Sequence, residues 1–297
     1  MAFKSGFVNI VGKPNAGKST LMNALVGERM AIITHKPQTT RHRIIGIVSE
    51  DDYQIVYSDT PGYVEEPSYK MHEVMNSYVE STLEDADLML FVMDVSDTYE
   101  KDDAILEILN KSDVPVFLIF NKVDLMEQDP LMELMDEWAQ LVDAKEVIPI
   151  SAADNLGIEF LKSRIVAILP EGEPFYPPDQ LTDRPERFFV SEIIREKIML
   201  QYGKEVPYSS DVNVEEFIVT KTKKGAPLIR IRATIFVERK SQVSILIGKG
   251  GSAIKKMGTA ARKDLETWLD SKVFLDMTVK VKEKWRSDTR TLKFLGY

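Results

Sequence analysis

The chain has 297 residues, of which 44% are hydrophobic and 29% charged, the composition of a globular protein long enough for two domains. It contains no cysteine, which excludes disulfides and thiolate metal sites and favours a reducing cytoplasm. No apolar run approaches the roughly 20 residues that span a bilayer, and residues 1–6 show no apolar signal-peptide core. We therefore expect a cytoplasmic monomer, and the sequence leaves peripheral contact with the inner membrane open.

Charge is distributed unevenly along the chain. Residues 1–180 carry 14 Lys and Arg against 32 Asp and Glu, a net charge of −18, whereas residues 181–297 carry 24 against 15, a net charge of +9. This asymmetry suggests that the C-terminal part meets a polyanion. Charge alone is explained equally well by ordinary solvation of both parts, so the motifs have to decide.

Predicted strands and helices alternate along residues 1–169. Continuous apolar runs such as 88–93 and 116–120 are typical of parallel strands covered on both faces. We predict strands at 7–11, 41–49, 53–58, 88–93, 116–120 and 147–150, and helices at 20–26, from Pro67 to about 83, and at 101–111, 130–142 and 156–168, with Asp129-Pro130 as the N-cap and first residue of the fourth. The alternation predicts an α/β domain with a mostly parallel sheet and helices on both faces.

A phosphate-binding P-loop is predicted between the first strand and the first helix, where the chain runs Gly12-Lys13-Pro14-Asn15-Ala16-Gly17-Lys18-Ser19-Thr20. Glycines let consecutive backbone N–H groups point at phosphate oxygens, and the following helix adds the positive end of its dipole. In such a loop Lys18 reaches the β- and γ-phosphates, and the Ser19 hydroxyl binds Mg²⁺.

Two later segments complete the predicted phosphate and metal site. Asp59-Thr60-Pro61-Gly62 follows a strand and fits the segment whose aspartate holds Mg²⁺ through water and whose glycine N–H senses the γ-phosphate. Thr39 and Thr40 are placed to close over the metal, and we favour Thr40, although spacing alone does not choose between them. The predicted metal ligands are therefore Ser19, Thr40 and Asp59, and the predicted catalytic groups are Lys18, Thr40 and Gly62.

A guanine-binding segment is predicted at Asn121-Lys122-Val123-Asp124, directly after a buried strand. The Asp124 carboxylate can accept hydrogen bonds from guanine N1–H and from its exocyclic amine, whereas adenine would leave it unpaired. Ser151-Ala152-Ala153 follows the next strand and would add a main-chain N–H to the base. Because all these segments lie at carboxyl ends of predicted strands, we interpret them as one GTP site.

Five prolines punctuate residues 170–185, and we predict a stiff linker there between a domain at 1–169 and a second domain at 186–297. In the second domain we predict helices at 185–202, 241–247 and 252–269 and strands at 212–220, 228–238 and 273–285, an α-β-β-α-α-β order. We expect Trp285 and Phe236 to pack in or beside the core.

A glycine-rich turn, Ile247-Gly248-Lys249-Gly250-Gly251, joins two of these helices and has the G-x-x-G pattern of a KH domain, whose small residues let a nucleic-acid backbone approach. Basic residues surround it in the sequence, with Lys255 and Lys256 just after the turn and Lys280, Lys282 and Lys284 on one face of the last strand. The topology matches the type II KH fold, and with the positive charge it favours binding of single-stranded RNA.

Residues 1–169 resemble the translation-factor-type GTPases, and Gly12 to Thr20, Thr39-Thr40-Arg41 and Asp59 to Gly62 resemble the Era branch. With the KH domain the resemblance covers essentially the whole chain. It implies a GTPase that uses GTP/GDP and Mg²⁺, binds 16S rRNA near its 3′ end and assists assembly of the 30S ribosomal subunit. Asn15 in the loop resembles potassium-stimulated members, which implies K⁺ as a further cofactor.

Tyr63 stands where Ras-related GTPases carry a water-orienting glutamine, so we expect slow unaided hydrolysis, on the order of 10⁻⁴ to 10⁻² s⁻¹. Two alternatives stay open at this point. One is a non-catalytic RNA-binding scaffold with a structural nucleotide, and the other is a nucleotide kinase or ATPase built on the same loop. The presence of one P-loop in the sequence argues against the related double-GTPase family that also ends in a KH-like domain.

Overall fold

The computed structural model describes residues 2–64, 66–84, 86–98 and 113–297, and the helix predicted at 101–111 lies outside these ranges. The chain divides into two compact units, one made of residues 1–65 and 75–183 and the other of residues 66–74 and 184–297.

The first unit is built on a six-stranded sheet. Its strands are β1 (Lys4–Val11), β2 (Ile44–Ser49), β3 (Tyr53–Asp59), β4 (Leu88–Asp94), β5 (Val116–Asn121) and β6 (Glu146–Pro149). The described helices between residues 1 and 169 are α1 (Lys18–Val26), α2 (Lys70–Glu84), α3 (Gln128–Ala139) and α4 (Ile158–Ile168). The first residues of α2, up to residue 74, belong to the second unit. The strand order is β2-β3-β1-β4-β5-β6, and only β2 runs antiparallel to its neighbour. The predicted α/β architecture is therefore confirmed.

The parallel strands place the motif loops together. Every residue of β4 and of β5 is buried, as the continuous apolar runs predict. Since β1, β3, β4, β5 and β6 are parallel, their carboxyl ends lie at one edge of the sheet, where ligands bind in folds of this kind.

Two predicted helix starts are wrong. Helix α3 begins at Gln128 with Glu127 as its N-cap, rather than at Pro130. Pro130 is tolerated inside the first turn because the N–H groups there have no partner within the helix. Helix α2 likewise begins at Lys70 rather than at Pro67.

Residues 170–181, here called the strap, are hydrogen-bonded to the first unit. The Ser5 N–H donates to the Pro170 carbonyl (3.1 Å), and the Ile47 N–H of the edge strand donates to the Leu181 carbonyl (2.8 Å). Between these points the buried Gln54 amide accepts from the N–H groups of Phe175 (2.7 Å) and Tyr176 (2.9 Å) and donates to the Tyr176 carbonyl (2.8 Å). The proline-rich stretch is thus docked over most of its length.

The second unit contains a three-stranded sheet covered by helices. Its elements are α5 (Glu186–Gln201), β7 (Ser210–Lys221), β8 (Pro227–Val237), α6 (Lys240–Ile247), α7 (Ser252–Trp268), β9 (Lys272–Val281) and α8 (Thr289–Leu295). The strand order is β7-β8-β9, with β7 antiparallel and β9 parallel to β8. This confirms the α-β-β-α-α-β order, and its core joins α5, α7 and the inward-facing residues of the strands.

The predicted last strand is too long. Strand β9 ends at Val281, and Lys284 adopts a left-handed conformation (φ 55°) that turns the chain. The turn buries Trp285, whose Nε1–H donates to the Ser209 carbonyl (2.9 Å), so the expected core role of this tryptophan is confirmed. Lys282 and Lys284 consequently do not share a strand face with Lys280. Helix α8, which the sequence did not predict, follows with Asp288 as its N-cap.

Candidate nucleotide site and nucleic-acid interface

A cavity of about 400 Å³ lies at the carboxyl edge of the sheet in the first unit. It is lined by Pro14, Asn15, Gly17, Lys18, Ser19, Thr20, residues 32–40, Thr60, Gly62 and Lys122. The predicted P-loop, the threonine segment, the segment after β3 and the segment after β5 therefore contribute to one cavity.

Two positions of the P-loop require glycine because a side chain there would clash with neighbouring atoms. A Cβ on Gly12 would lie 2.3 Å from the Val92 carbonyl oxygen, and one on Gly17 would lie 2.2 Å from the Asn121 amide nitrogen. Both glycines also have positive φ, at 150° and 95°, where a side chain would be strained. Asn15 is left-handed as well (φ 68°), a conformation that Asn tolerates better than most residues.

Lys18 lies buried at the start of α1 and points into the loop. Its Nζ donates to the carbonyls of Gly12 (2.8 Å) and Lys13 (2.9 Å). Burial lowers the pKa of Lys18 to about 8, although the nearby Asp59 charge opposes the shift. The ammonium group is thus held inside the P-loop, where it can exchange carbonyl oxygens for phosphate oxygens.

Three oxygen donors converge beside Lys18. The Ser19 hydroxyl donates to Asp59 Oδ2 (2.7 Å), and Thr40 Oγ1 lies 3.0 Å from Ser19 Oγ and 3.4 Å from the same carboxylate oxygen. Asp59 is fully buried, and its Oδ1 has no hydrogen-bond partner within the described part of the chain. Burial raises the pKa of Asp59, against the opposing effects of Lys18, Ser19, Thr40 and Thr60. A buried carboxylate oxygen with unused acceptor capacity, next to two hydroxyls, fits a hard cation such as Mg²⁺.

Thr39 is turned away from this cluster. Its hydroxyl donates to the Lys36 carbonyl (2.6 Å) and lies 2.5 Å from Thr34 Oγ1. The geometry therefore brings Thr40, and not Thr39, towards Ser19 and Asp59.

The segments predicted to hold the base are joined by Asn121. Its Nδ2 donates to the Ala16 carbonyl (2.8 Å), and its Oδ1 accepts from the Ala152 N–H (3.0 Å). One buried amide thereby links the P-loop, the end of β5 and the loop after β6. Asp124 is exposed, and no side chain of the described residues hydrogen-bonds or ion-pairs with its carboxylate. Ser151 is buried and Ala153 exposed in the same region.

Sequence reasoning missed Asp94 at the end of β4. Its Oδ2 lies 2.5 Å from Lys122 Nζ, and its Oδ1 accepts from the N–H (2.9 Å) and hydroxyl (2.6 Å) of Ser96. Burial favours the neutral carboxyl group, but the hydrogen bonds from Lys122 and Ser96 outweigh it and lower the pKa of Asp94. The signal in the sequence was a single acidic residue, Asp94, at the end of the otherwise apolar strand β4.

The glycine-rich turn of the second unit exposes its backbone. Gly248, Gly250 and Gly251 all have positive φ, and a Cβ on Gly248 would lie 2.6 Å from Ala253 Cβ. Open space surrounds Gly250 and Gly251, so another chain can approach there. Ile247 is half-buried at the end of α6.

Three predicted lysines flank this turn. Lys249, Lys255 and Lys256 are exposed, and none forms an ion pair with a described carboxylate. The turn precedes the N-terminus of α7, whose dipole favours an anion. Small residues, exposed cations and a helix N-terminus together suit a nucleic-acid backbone.

A cavity lined by a P-loop in an α/β unit, followed by a type II KH unit, defines a P-loop nucleotide-binding protein with an RNA-binding fold. Comparison with known families agrees. The family model described as 50S ribosome-binding GTPase matches residues 7–122, and the KH domain model matches residues 205–286.

Full-length relatives narrow this class. The GTPase Era of Syntrophus aciditrophicus is 45% identical over 99% of this chain and 95% of its own length, and that of Alkaliphilus metalliredigens is 44% identical over the whole of both chains. Two solved structures each superpose on this protein with a TM-score of 0.92, and each superposition covers 99% of this chain and 99% of the solved chain. One is an Aquifex aeolicus Era variant bound to GDP·AlF4⁻, at 36% identity, and the other is Era with MgGDPNP and nucleotides 1506–1542 of 16S ribosomal RNA, at 35%. The chain belongs to the Era family and is a GTPase.

This membership confirms the family and the hydrolytic activity expected from the motifs, and it decides against the scaffold and the kinase alternatives. No helix in residues 2–64, 66–84, 86–98 or 113–297 is long and apolar enough to cross a membrane.

Proposed function

We propose that the chain is a GTP-controlled switch that binds 16S rRNA near its 3′ end and assists assembly of the 30S subunit. Residues 1–169 hold the nucleotide, residues 170–185 connect, and residues 186–297 hold the RNA. The observation that carries the proposal is the occurrence, in one chain, of a cavity lined by the P-loop and Lys122 and an exposed glycine-rich turn flanked by lysines that no described carboxylate pairs. The relative solved with MgGDPNP and 16S rRNA supports it.

In this proposal the P-loop amides and Lys18 hold the β- and γ-phosphates, and the Gly62 N–H donates to the γ-phosphate. Ser19, Thr40 and Asp59 would hold Mg²⁺, directly or through water, and the ion would neutralise charge on the transferring phosphoryl group. The buried position of Asp59 and its unpaired oxygen support that assignment.

Guanine specificity is assigned to Asp124, with Asn121 fixing the loops and Ser151, Ala152 and Ala153 backing the base. A carboxylate that must pair with two N–H groups discriminates by roughly 10⁴-fold against bases that lack them. The Asp124→Asn variant is expected to lose GTP affinity and to gain affinity for xanthosine triphosphate, because xanthine offers an acceptor in place of the amine. Titration of both nucleotides measures this, and unchanged GTP affinity would refute the assignment.

Hydrolysis is expected to be slow without an activator. Tyr63, 45% exposed beside the Gly62 segment, has a ring that cannot orient water as an amide does. Asn15 supports K⁺ as a stimulating cation, and equal GTPase rates in KCl and NaCl would remove that part of the proposal.

RNA binding is assigned to the glycine-rich turn. Replacing Lys249 and Gly250 by Asp is expected to abolish RNA binding and to leave GTP hydrolysis intact, because both positions are exposed and Asp tolerates the left-handed backbone of Gly250. Thr289→Asp with Lys293→Asp on α8 is the matched control, since both positions are exposed and the charge changes equally. RNA affinity that survives at the turn, measured by fluorescence anisotropy, would place the RNA elsewhere.

We further propose a cytoplasmic monomer. The absence of cysteine and the polyanionic partner support the compartment, and light scattering of the purified chain tests the oligomeric state. Sedimentation with anionic vesicles tests the peripheral inner-membrane contact that the sequence leaves open.

A further inference from the structure

One half of the KH sheet is uncovered on its outer face. Side chains of β8 alternate, and Ile229, Ile231, Ala233, Ile235 and Val237 are buried in the core while the residues between them face the other way. Helix α8 covers the far end of that outer face, where Phe294 lies edge-on to Phe236 with ring centroids 6.5 Å apart. The end near the β7–β8 hairpin has no such cover from any described element, since the side chains there are largely exposed.

An apolar row with one cation crosses the uncovered half. Strand register places Ile218 beside Arg230 and Arg230 beside Phe274. Ile218 is 48% and Phe274 53% exposed, and the Arg230 guanidinium carbon lies 5.8 Å from the Phe274 ring centroid. A ring with a guanidinium group beside it is the arrangement on which nucleic-acid bases stack.

In the adjacent row of the outer face, formed by Glu216, Arg232 and Asp276, the positive charge is paired with carboxylates. There Arg232 ion-pairs with Glu216 (2.6 Å) and lies 3.8 Å from Asp276, so its charge is neutralised. Arg230 has no carboxylate within ion-pair distance among the described residues. The uncovered row therefore keeps its positive charge while the row beside it does not.

The tip of the adjoining hairpin adds two more cations. Lys223 and Lys224 are exposed, and neither pairs with a carboxylate of the residues that the structure describes. Together with Arg230 they give three positive charges, unpaired among the described residues, to the end of the sheet that carries the exposed Phe274 ring. This combination complements a polyanion that carries π-faces, which is single-stranded nucleic acid.

We propose that this outer-sheet surface, formed by Ile218, Arg230, Phe274 and the hairpin lysines 223 and 224, binds a second stretch of the same single-stranded RNA. The inference rests on the proposed RNA-binding function. A base stacks on Phe274 against the Arg230 guanidinium, and the hairpin lysines contact phosphates.

The surface is separate from the glycine-rich turn. That turn lies at the N-terminus of α7, and the 17 residues of this helix, roughly 25 Å in length, lead from it to the beginning of β9. The beginning of β9 pairs with Leu228, directly after the hairpin. A groove for about four nucleotides at the turn therefore leaves the outer-sheet surface to a different part of a longer RNA.

The test uses RNA length to separate the two surfaces. The full chain is titrated by fluorescence anisotropy with a labelled 20-nucleotide RNA that copies the 3′ end of 16S rRNA, and with its tetranucleotide fragments. Phe274→Ala is expected to weaken binding of the 20-nucleotide RNA roughly tenfold, the effect of losing one stacked base, and to leave binding of the fragments unchanged. Lys223→Ala with Lys224→Ala is expected to weaken the long RNA as well and to lower the slope of its salt dependence by about two.

Phe294→Ala is the matched control. Phe294 is 58% exposed and has the Lys282 ammonium 5.7 Å from its ring, but it belongs to the covered end of the sheet, so its loss is expected to change long-RNA affinity by less than twofold. If Phe274→Ala and the lysine pair bind the long RNA as Phe294→Ala does, this inference is overturned, and a protein partner becomes the occupant to seek. If the unaltered chain binds neither RNA, the proposed function itself fails.

Discussion

Lys122 and Asp94 show how single residues hold the nucleotide cavity. Lys122 has a left-handed backbone (φ 64°), its side chain lines the cavity, and its ammonium group is fixed by the Asp94 carboxylate. Because the pKa of Asp94 is lowered, the pair contributes stability at neutral pH that is lost only as the pH falls below the ordinary Asp value of 3.8. Asp94 is thus placed to position the lysine at the wall of the cavity.

We expect Asp94→Asn to release nucleotide faster. Loss of a hydrogen bond to a charged group corresponds to roughly a tenfold effect, and it should appear in the dissociation rate of a fluorescent GDP analogue. Asp97→Asn is the control, because Asp97 is an exposed neighbour whose carboxylate, among the described residues, accepts from the adjacent Thr98 N–H. Equal release rates for both variants would show that the pair is structural.

The two adjacent threonines give a second prediction at this scale. Since the Thr40 hydroxyl faces Ser19 and the Thr39 hydroxyl is engaged by Lys36, Thr40→Val should raise the Mg²⁺ concentration needed for half-maximal GTP hydrolysis at least tenfold. Thr39→Val should leave the Mg²⁺ requirement nearly unchanged. The reverse ranking would overturn the choice of Thr40.

At the scale of elements, the strap depends on the edge strands that it covers. The buried Gln54 amide uses both ends on the strap backbone and also donates to the Ser49 hydroxyl (2.9 Å). Removing the amide leaves several main-chain groups of the strap without partners, which costs roughly 1–3 kcal/mol per buried group unless the strap detaches into water.

Gln54→Met is therefore expected to lower the free energy of unfolding by roughly 1–3 kcal/mol and to expose the strap to proteolysis. Urea unfolding and limited chymotrypsin digestion, which can cut after Phe175 and Leu181, measure the two effects. Gln180→Met, which loses one hydrogen bond within the strap region, is the comparison. A cleavage pattern like that of the unaltered chain would mean that other contacts hold the strap.

The elements also show what the sequence can and cannot predict. Strands β4 and β5 were predictable because continuous apolar runs of this length are typical of buried parallel strands. The P-loop was predictable because no residue with a side chain fits at Gly12 or Gly17. The end of β9 was not predictable, since Lys282 and Lys284 continue the strand alternation and only the burial of Trp285 turns the chain. The role of Asp94 was not predicted because a single carboxylate at a strand end does not form a recognisable motif.

At the scale of the whole chain, the charge asymmetry predicts how RNA is held. The part of net charge +9 contains the exposed lysines of the glycine-rich turn and the hairpin, so RNA affinity should fall steeply and linearly with log salt concentration. GTP affinity depends on a preformed cavity and Mg²⁺ and should fall much less. Parallel titrations between 50 and about 300 mM KCl test this, and equal salt dependence would contradict it.

A switch also requires that nucleotide changes RNA affinity. We expect calorimetry to give at least a fivefold difference in RNA affinity between the GDP-bound chain and the chain with a non-hydrolysable GTP analogue, the lower end of ordinary allosteric coupling. By reciprocity, RNA should change the relative affinities for the two nucleotides by the same factor. Identical RNA affinities in both states would leave two independent binding modules.

The buried amide of Asn121 has a consequence for the kinetics of nucleotide exchange. Because it ties the P-loop to the loop after β6 through the protein's own groups, the relative position of these two loops does not depend on contacts supplied by a nucleotide. Little conformational entropy then remains to be lost on association, and capture can proceed at the rate of an ordinary rigid encounter. Differences in affinity between GDP and GTP should therefore lie in their dissociation rates rather than in their association rates. A protein that accelerates nucleotide exchange would act by separating these loops.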